Sequence, residues 1–177
     1  VSDSRVSLLR WQFDLVWSLF EYHLVSLEPA DFLWEPTPYC WTLRWDADEG
    51  WVPDWADSEP APVPVPTIAW LTWHIGWWWT TTIDRAQQRA PEERGDLVWP
   101  GAGQATVTWL RGLSEEWLEL LGRLTDADLD TTAPFPWRDD PTMTMAHMVG
   151  WVNSELMKNT AEIGQLRMLR AVSPPSS

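Results

Sequence analysis

The sequence predicts an all-α fold, a bundle of four amphipathic helices. Three observations carry that expectation. Apolar residues recur at steps of three and four in four separate stretches, the spacing of one helix face. Eight of the 15 prolines fall between residues 28 and 66, outside those stretches, and proline at that density excludes helix interiors and central strands. Nowhere does the chain alternate polar and apolar residues in a way that makes a credible strand.

The first helix is expected over residues 4–27, with Ser4 as N-cap and Leu9, Phe13, Val16, Phe20, Leu24 and Leu27 as its inner stripe. His23 sits at the edge of that stripe, where a hydrogen-bonded core histidine and a ligand are both consistent with the spacing. Residues 28–66 are expected to form a long ordered connection without regular structure. Trp34, Trp41, Trp45, Trp51 and Trp55 all fall there, and indoles bury large areas while seeking an acceptor for the N–H. They either hold the connection on the bundle or wall an aromatic pocket, and a loop this long is often a lid. A second helix is expected over residues 67–89, entered through Pro66 and Thr67. His74 shares a face there with Trp70, Trp77 and Trp78; poor hydration between indoles favours the neutral imidazole. Residues 104–124 form the third helix on Val107, Leu110, Leu113, Trp117, Leu120 and Leu124. Residues 143–170 form the last, on Met145, Met148, Val149, Val152, Leu156, Ile163 and Leu166. One domain spans residues 1–172, followed by a short frayed tail.

Composition narrows the function. The formal charge of −14, with only 12 scattered Lys and Arg, disfavours a nucleic-acid partner and an anionic membrane surface, both of which need clustered cations. The first residues carry Asp3, Arg5 and Arg10 ahead of any apolar block, unlike a signal peptide. No apolar run is long enough for a membrane span. Cys40 stands alone, so a disulfide framework is absent and a cytoplasmic setting is expected. No phosphate-cradling glycine loop or cysteine-based zinc signature is present.

The last helix carries a second, ionisable flank. His147, Trp151, Glu155, Lys158 and Glu162 follow at steps of four, four, three and four, so they share one side of the helix. Bundles build sites between helices from such flanks; a solvated surface stripe has the same spacing.

At this point the residues resemble a known family. The run Thr67-Ile-Ala-Trp-Leu-Thr-Trp-His74-Ile-Gly-Trp-Trp is similar to the second-helix motif of the DinB-like (DinB/YfiT) superfamily, in which one histidine binds metal. The run from Trp151 to Gly164-Gln165-Leu166 resembles that family's last helix. The resemblance implies a four-helix bundle of up-down-down-up topology, and for many members a divalent metal such as Zn or Ni, with thiol transferases, an isomerase and hydrolases among the activities. It also implies two more metal histidines on the last helix, at positions that here carry Lys158 and Glu162. Two arrangements follow. Lys158 and Glu162 pair and replace the metal, or His23, His74 and Glu162 hold one as two histidines and a carboxylate. In the implied topology His23, His74, Lys158 and Glu162 gather at one end beneath the 28–66 connection, while His147 lies about 22 Å away along the helix.

The expected function is a small-molecule pocket at that end, walled by Trp70, Trp77, Trp78, Trp151 and Asn159, with Lys158 and Glu155 as candidate catalytic groups. It is either a metal-dependent thiol S-transferase or hydrolase taking a low-molecular-weight thiol, or a non-catalytic binding protein. A homo-oligomer built through exposed tryptophans is a further reading.

Overall fold

Four of the five α-helices among the described residues begin where a side chain takes up backbone N–H groups that the helix itself cannot bond, and the other follows Gly103 without such a cap. In a computed structural model that describes residues 4–137 and 140–173, Ser4 Oγ accepts from the N–H of Ser7 and opens α1, Arg5–Leu24. Glu28 and Asp31 form a capping box around the single turn α2, Pro29–Phe32. Thr67 Oγ1 accepts from the N–H of Trp70 and opens α3, Ile68–Ala86. The third long helix, α4, runs Gln104–Arg123. The last, α5, runs Met145–Val172, and His147 Nδ1 accepts from the N–H of Thr144 at its start. His147 is thus a capping residue. The fold is mostly helical, and its four long helices share one core that includes Phe13, Phe20, Trp73, Trp79, Trp117 and Leu156. No helix among the described residues is long and apolar enough to cross a membrane. Residues 174–177 of the expected tail lie outside the described residues.

Pairs of residues mark how the helices lie. Asn153 Nδ2 donates to Leu9 O at 3.0 Å, and His23 rests on Gly164, so residue numbers rise together in α1 and α5. They also rise together in α3 and α4, where Gly76 meets Trp109 and Arg89, just past α3, reaches Glu116. The α3–α4 approach depends on Gly76: a Cβ there would stand 1.7 Å from the Trp109 ring. Helix α3 is buried nearly all round, as a helix apolar on every side must be. Two of its buried hydroxyls bond inside the helix, Thr72 Oγ1 donating to Ala69 O at 2.9 Å and Thr82 Oγ1 to Trp78 O at 2.7 Å.

The connection 28–66 departs from expectation, because it contains regular structure. Strand β1, Cys40–Trp41, lies beside what becomes β4, Val65–Pro66, in parallel; between them β2, Leu43–Asp46, and β3, Gly50–Pro53, form a hairpin. Asp46 Oδ1 takes the N–H groups of Asp48 and Glu49 at 2.8 and 3.1 Å, and Gly50 follows at φ +79°, a conformation cheap only for glycine. Strands this short, interrupted by proline, leave no alternating signal. Of the five indoles, Trp41 and Trp55 stack on Trp70, Trp51 meets Trp99 edge-on and Trp34 lies under the Arg170 guanidinium. Trp45 meets Trp51 edge-on and is the most exposed of the five, at 67%. A second connection locks the first: Arg94 lies 4.0 Å over the Trp55 ring, and buried Trp99 Nε1 donates to Thr72 Oγ1.

Candidate functional site

Helices α3 and α5 and the 28–66 connection enclose a cavity of about 300 Å³. Helix α3 supplies Trp70, Leu71 and His74, which share one side of it by one-turn spacing. Helix α5 supplies Lys158, Asn159 and Glu162, and the connection supplies Trp41, Trp55, Glu59, Val63, Pro64 and Pro66.

His74 lies flat against Trp70, ring centroids 4.8 Å apart and planes 13° from parallel. Its Nδ1 is buried without a hydrogen-bond partner among the described residues. Burial, and secondarily the Lys158 charge, lower its pKa to about 4, so the ring is neutral at pH 7. An orphaned lone pair is cheaper than an orphaned N–H, which places the proton on Nε2 and leaves Nδ1 bare.

Lys158 does not pair with Glu162, contrary to one expected arrangement. Its Nζ lies 2.6 Å from Glu155 Oε2, one turn back, and the side chain is 53% exposed. Glu162 is held differently. Its Oε2 accepts from Asn159 Nδ2 at 2.9 Å, and Asn159 Oδ1 accepts from Trp78 Nε1 at 3.4 Å. A lysine on a helix can reach i−3 and i+4 partners, and an acid on its N-terminal side is the better placed of the two, as Glu155 is here. A half-exposed pair of this kind contributes under about 1 kcal/mol.

The other expected site residues separate. His23 does not line the cavity; its ring packs on Gly164 and edge-on to Tyr22. Burial, then the nearby Arg167 charge, lower its pKa. Trp77 stands behind the cavity against His74 and Trp55, and Trp78 supports Asn159. Trp151 belongs to a separate aromatic group with Trp78, Phe135 and Trp137. Glu155 meets Lys158 but not the cavity. Cys40 is half-buried on β1, with its thiol pKa raised by burial and next by Glu35, which makes it a poor nucleophile at neutral pH. Sequence reasoning did not single out Glu59. Nothing periodic surrounds it, and only the tryptophan-rich composition hinted that its loop would reach a site.

The family model of the DinB superfamily matches residues 49–163 of the chain. The chain belongs to the DinB superfamily. A crystal structure of a conserved protein from Enterococcus faecalis has a similar fold, with a TM-score of 0.65 over 94% of this chain and 97% of that one, at 13% identity. No curated protein matches the chain.

The metal that the DinB resemblance implies can be tested against the residues present. Among the described residues no three His, Cys, Asp or Glu side chains gather as a cage. A ligating histidine normally donates its second ring N–H to an acceptor that fixes its orientation, and His74 Nδ1 has none. Lys158, which stands at a position where the resemblance implies a ligating histidine, is an ammonium paired with Glu155 and has no lone pair to offer a metal. In this DinB chain the residues do not fit a divalent-metal centre.

Proposed function

We propose that this DinB-superfamily protein is a metal-free binding protein for a small, largely apolar molecule that carries a protonated amine. The reading takes the four long helices in up-down-down-up order, supported by the matched directions of α1 with α5 and of α3 with α4. The observation that carries it is the charge of the cavity. Glu59 and Glu162 line it among Trp41, Trp55 and Trp70, while Lys158 is already met by Glu155 and His74 is neutral. Negative charge left over beside apolar walls attracts a cation more strongly than it would in water. His74 at about 4 is too acidic to shuttle protons near pH 7, and its Nε2–H serves instead as a fixed donor. The cavity is at the small end of ligand pockets.

Tryptamine and indole-3-acetate have the same ring and opposite charge, and calorimetric titration with each tests the reading. Tryptamine should bind more tightly by about tenfold or more, an advantage of roughly 1.4 kcal/mol, and Glu162→Gln should remove most of it. Tighter binding of the acid would overturn the proposal. The second reading, a metal-dependent thiol S-transferase or hydrolase, starts from His74 and Glu162 lining one cavity and needs a further ligand that the described residues do not gather there. It requires the untagged protein to bind Zn²⁺ and to lose it in Glu162→Ala.

A further inference from the structure

Helix α1 is apolar on two sides. Phe13, Val16, Phe20 and Leu24 point into the core, while Leu8, Trp11, Leu15, Leu19 and Tyr22 form a separate stripe in solvent. Their spacing of three, four, four and three puts all five on one side of the helix. Helix α5, the neighbour of α1, continues that surface with Ala146, Gly150, Ser154, Met157, Ala161 and Met168, at steps of four, four, three, four and seven. Between the two helices runs a shallow groove of about 970 Å³. Among the described residues lining it there is no Asp or Glu. His147 and Lys158 reach its edge, and Lys158 is there paired with Glu155. Charges flank the surface on both sides, Asp14 and Glu21 beyond the α1 stripe and the Lys158–Glu155 pair beyond the α5 stripe. An apolar centre inside a polar rim is the anatomy of a protein interface.

We propose that this α1–α5 surface binds a second copy of the chain about a two-fold axis. The charge argues for that occupant. At −14, two copies repel wherever carboxylates face carboxylates, and a two-fold axis brings each patch opposite itself. Here a patch without carboxylates meets its own image, so association carries no like-charge penalty at its centre. The net charge also opposes an anionic membrane as the occupant. The size fits. Two helices about 30 Å long, packed 8–10 Å apart, present on the order of 600 Å² before side-chain relief is added, close to the roughly 800 Å² per partner of a standard interface. The small residues Ala146, Gly150 and Ser154 leave room in which Trp11 of the partner copy can seat.

Sedimentation equilibrium of the untagged full chain at micromolar concentration tests this. The expected result is a dimer. Leu15→Glu on α1 and, separately, Ala161→Glu on α5 place carboxylate against carboxylate, and each should weaken the dimer by about a hundredfold with helical content and melting unchanged. Both positions are exposed, and they lie on different helices, so a folding defect in one leaves the other decisive. Thr108→Glu, on the exposed side of α4, should remain dimeric. A wild-type chain that sediments as a monomer overturns the proposal, as does a dimer unaffected by both substitutions. A monomer that instead co-floats with neutral phosphatidylcholine vesicles would assign the surface to lipid and overturn it equally.

Discussion

At the scale of single residues, His74 is the group whose environment departs most from water. Its pKa falls from 6.5 to about 4 through burial first and the Lys158 charge second. The unfolded chain takes up a proton below about 6.5 and the folded chain only near 4, so between those values the unfolded state binds more protons. Stability therefore falls as pH drops through that window. The whole difference corresponds to roughly 3 kcal/mol, of which about 2 kcal/mol should be gone at pH 5. Urea melts at about pH 7.5 and pH 5 measure the loss, and His74→Phe keeps the stack on Trp70 while removing the titration. The wild-type chain should lose about 2 kcal/mol more than the variant; equal losses would show that His74 is already hydrated. His23, shifted the same way, is present in both proteins and cancels. Glu162 makes a different point about residues. Its place on the ionisable flank of the last helix was legible from spacing, but its partner Asn159 was not, because an amide and an ammonium stand next to each other on that turn.

At the scale of elements, the α3–α4 contact is set by one missing side chain. Gly76→Ala drives a methyl into the Trp109 ring and should destabilise the fold by about 1–3 kcal/mol, the cost of overpacking. Trp109→Ala in the same chain should relieve part of that, so a double-mutant cycle read by thermal melts should be clearly non-additive. Additivity would mean that the helices separate freely. The sequence shows the four long helices because their stripes and their caps at Ser4 and Thr67 agree. The importance of Gly76 leaves no signal in its own stretch of sequence, since the need for it comes from another helix. The hairpin was hidden for a related reason. In Leu43-Arg44-Trp45-Asp46 the burial follows no alternation, because Trp45 stays in solvent while the turn chemistry of Asp46 and Gly50 does the folding. The cavity was half legible. Residues on α3 and α5 could be grouped by helix geometry, whereas Glu59 and Val63 arrive on a connection whose path only the folded chain defines.

At the scale of the whole molecule, the tryptophans convert two long connections into part of the body. Trp55 is the link between them, stacked on Trp70 on α3 and lying beneath Arg94 of the 90–103 connection. Such a contact contributes about 0.5–2 kcal/mol when partly shielded, and it holds the roof of the cavity. Limited proteolysis should therefore cut the native chain slowly between residues 36 and 64, and Trp55→Ala should speed cleavage there several-fold at unchanged global stability. Rapid cutting of the parent chain would mean that the roof is open most of the time. The same indoles affect how the molecule interacts with light. Trp41 and Trp70 lie 4.9 Å apart with their planes skewed by 20°, so their electronic transition dipoles couple and share each excitation. A skewed pair rotates polarised light in the far ultraviolet, where helices are counted. Circular dichroism of this chain thus superimposes an indole signal on the helical one, and a melt followed at those wavelengths records the parting of two rings as well as the loss of helix.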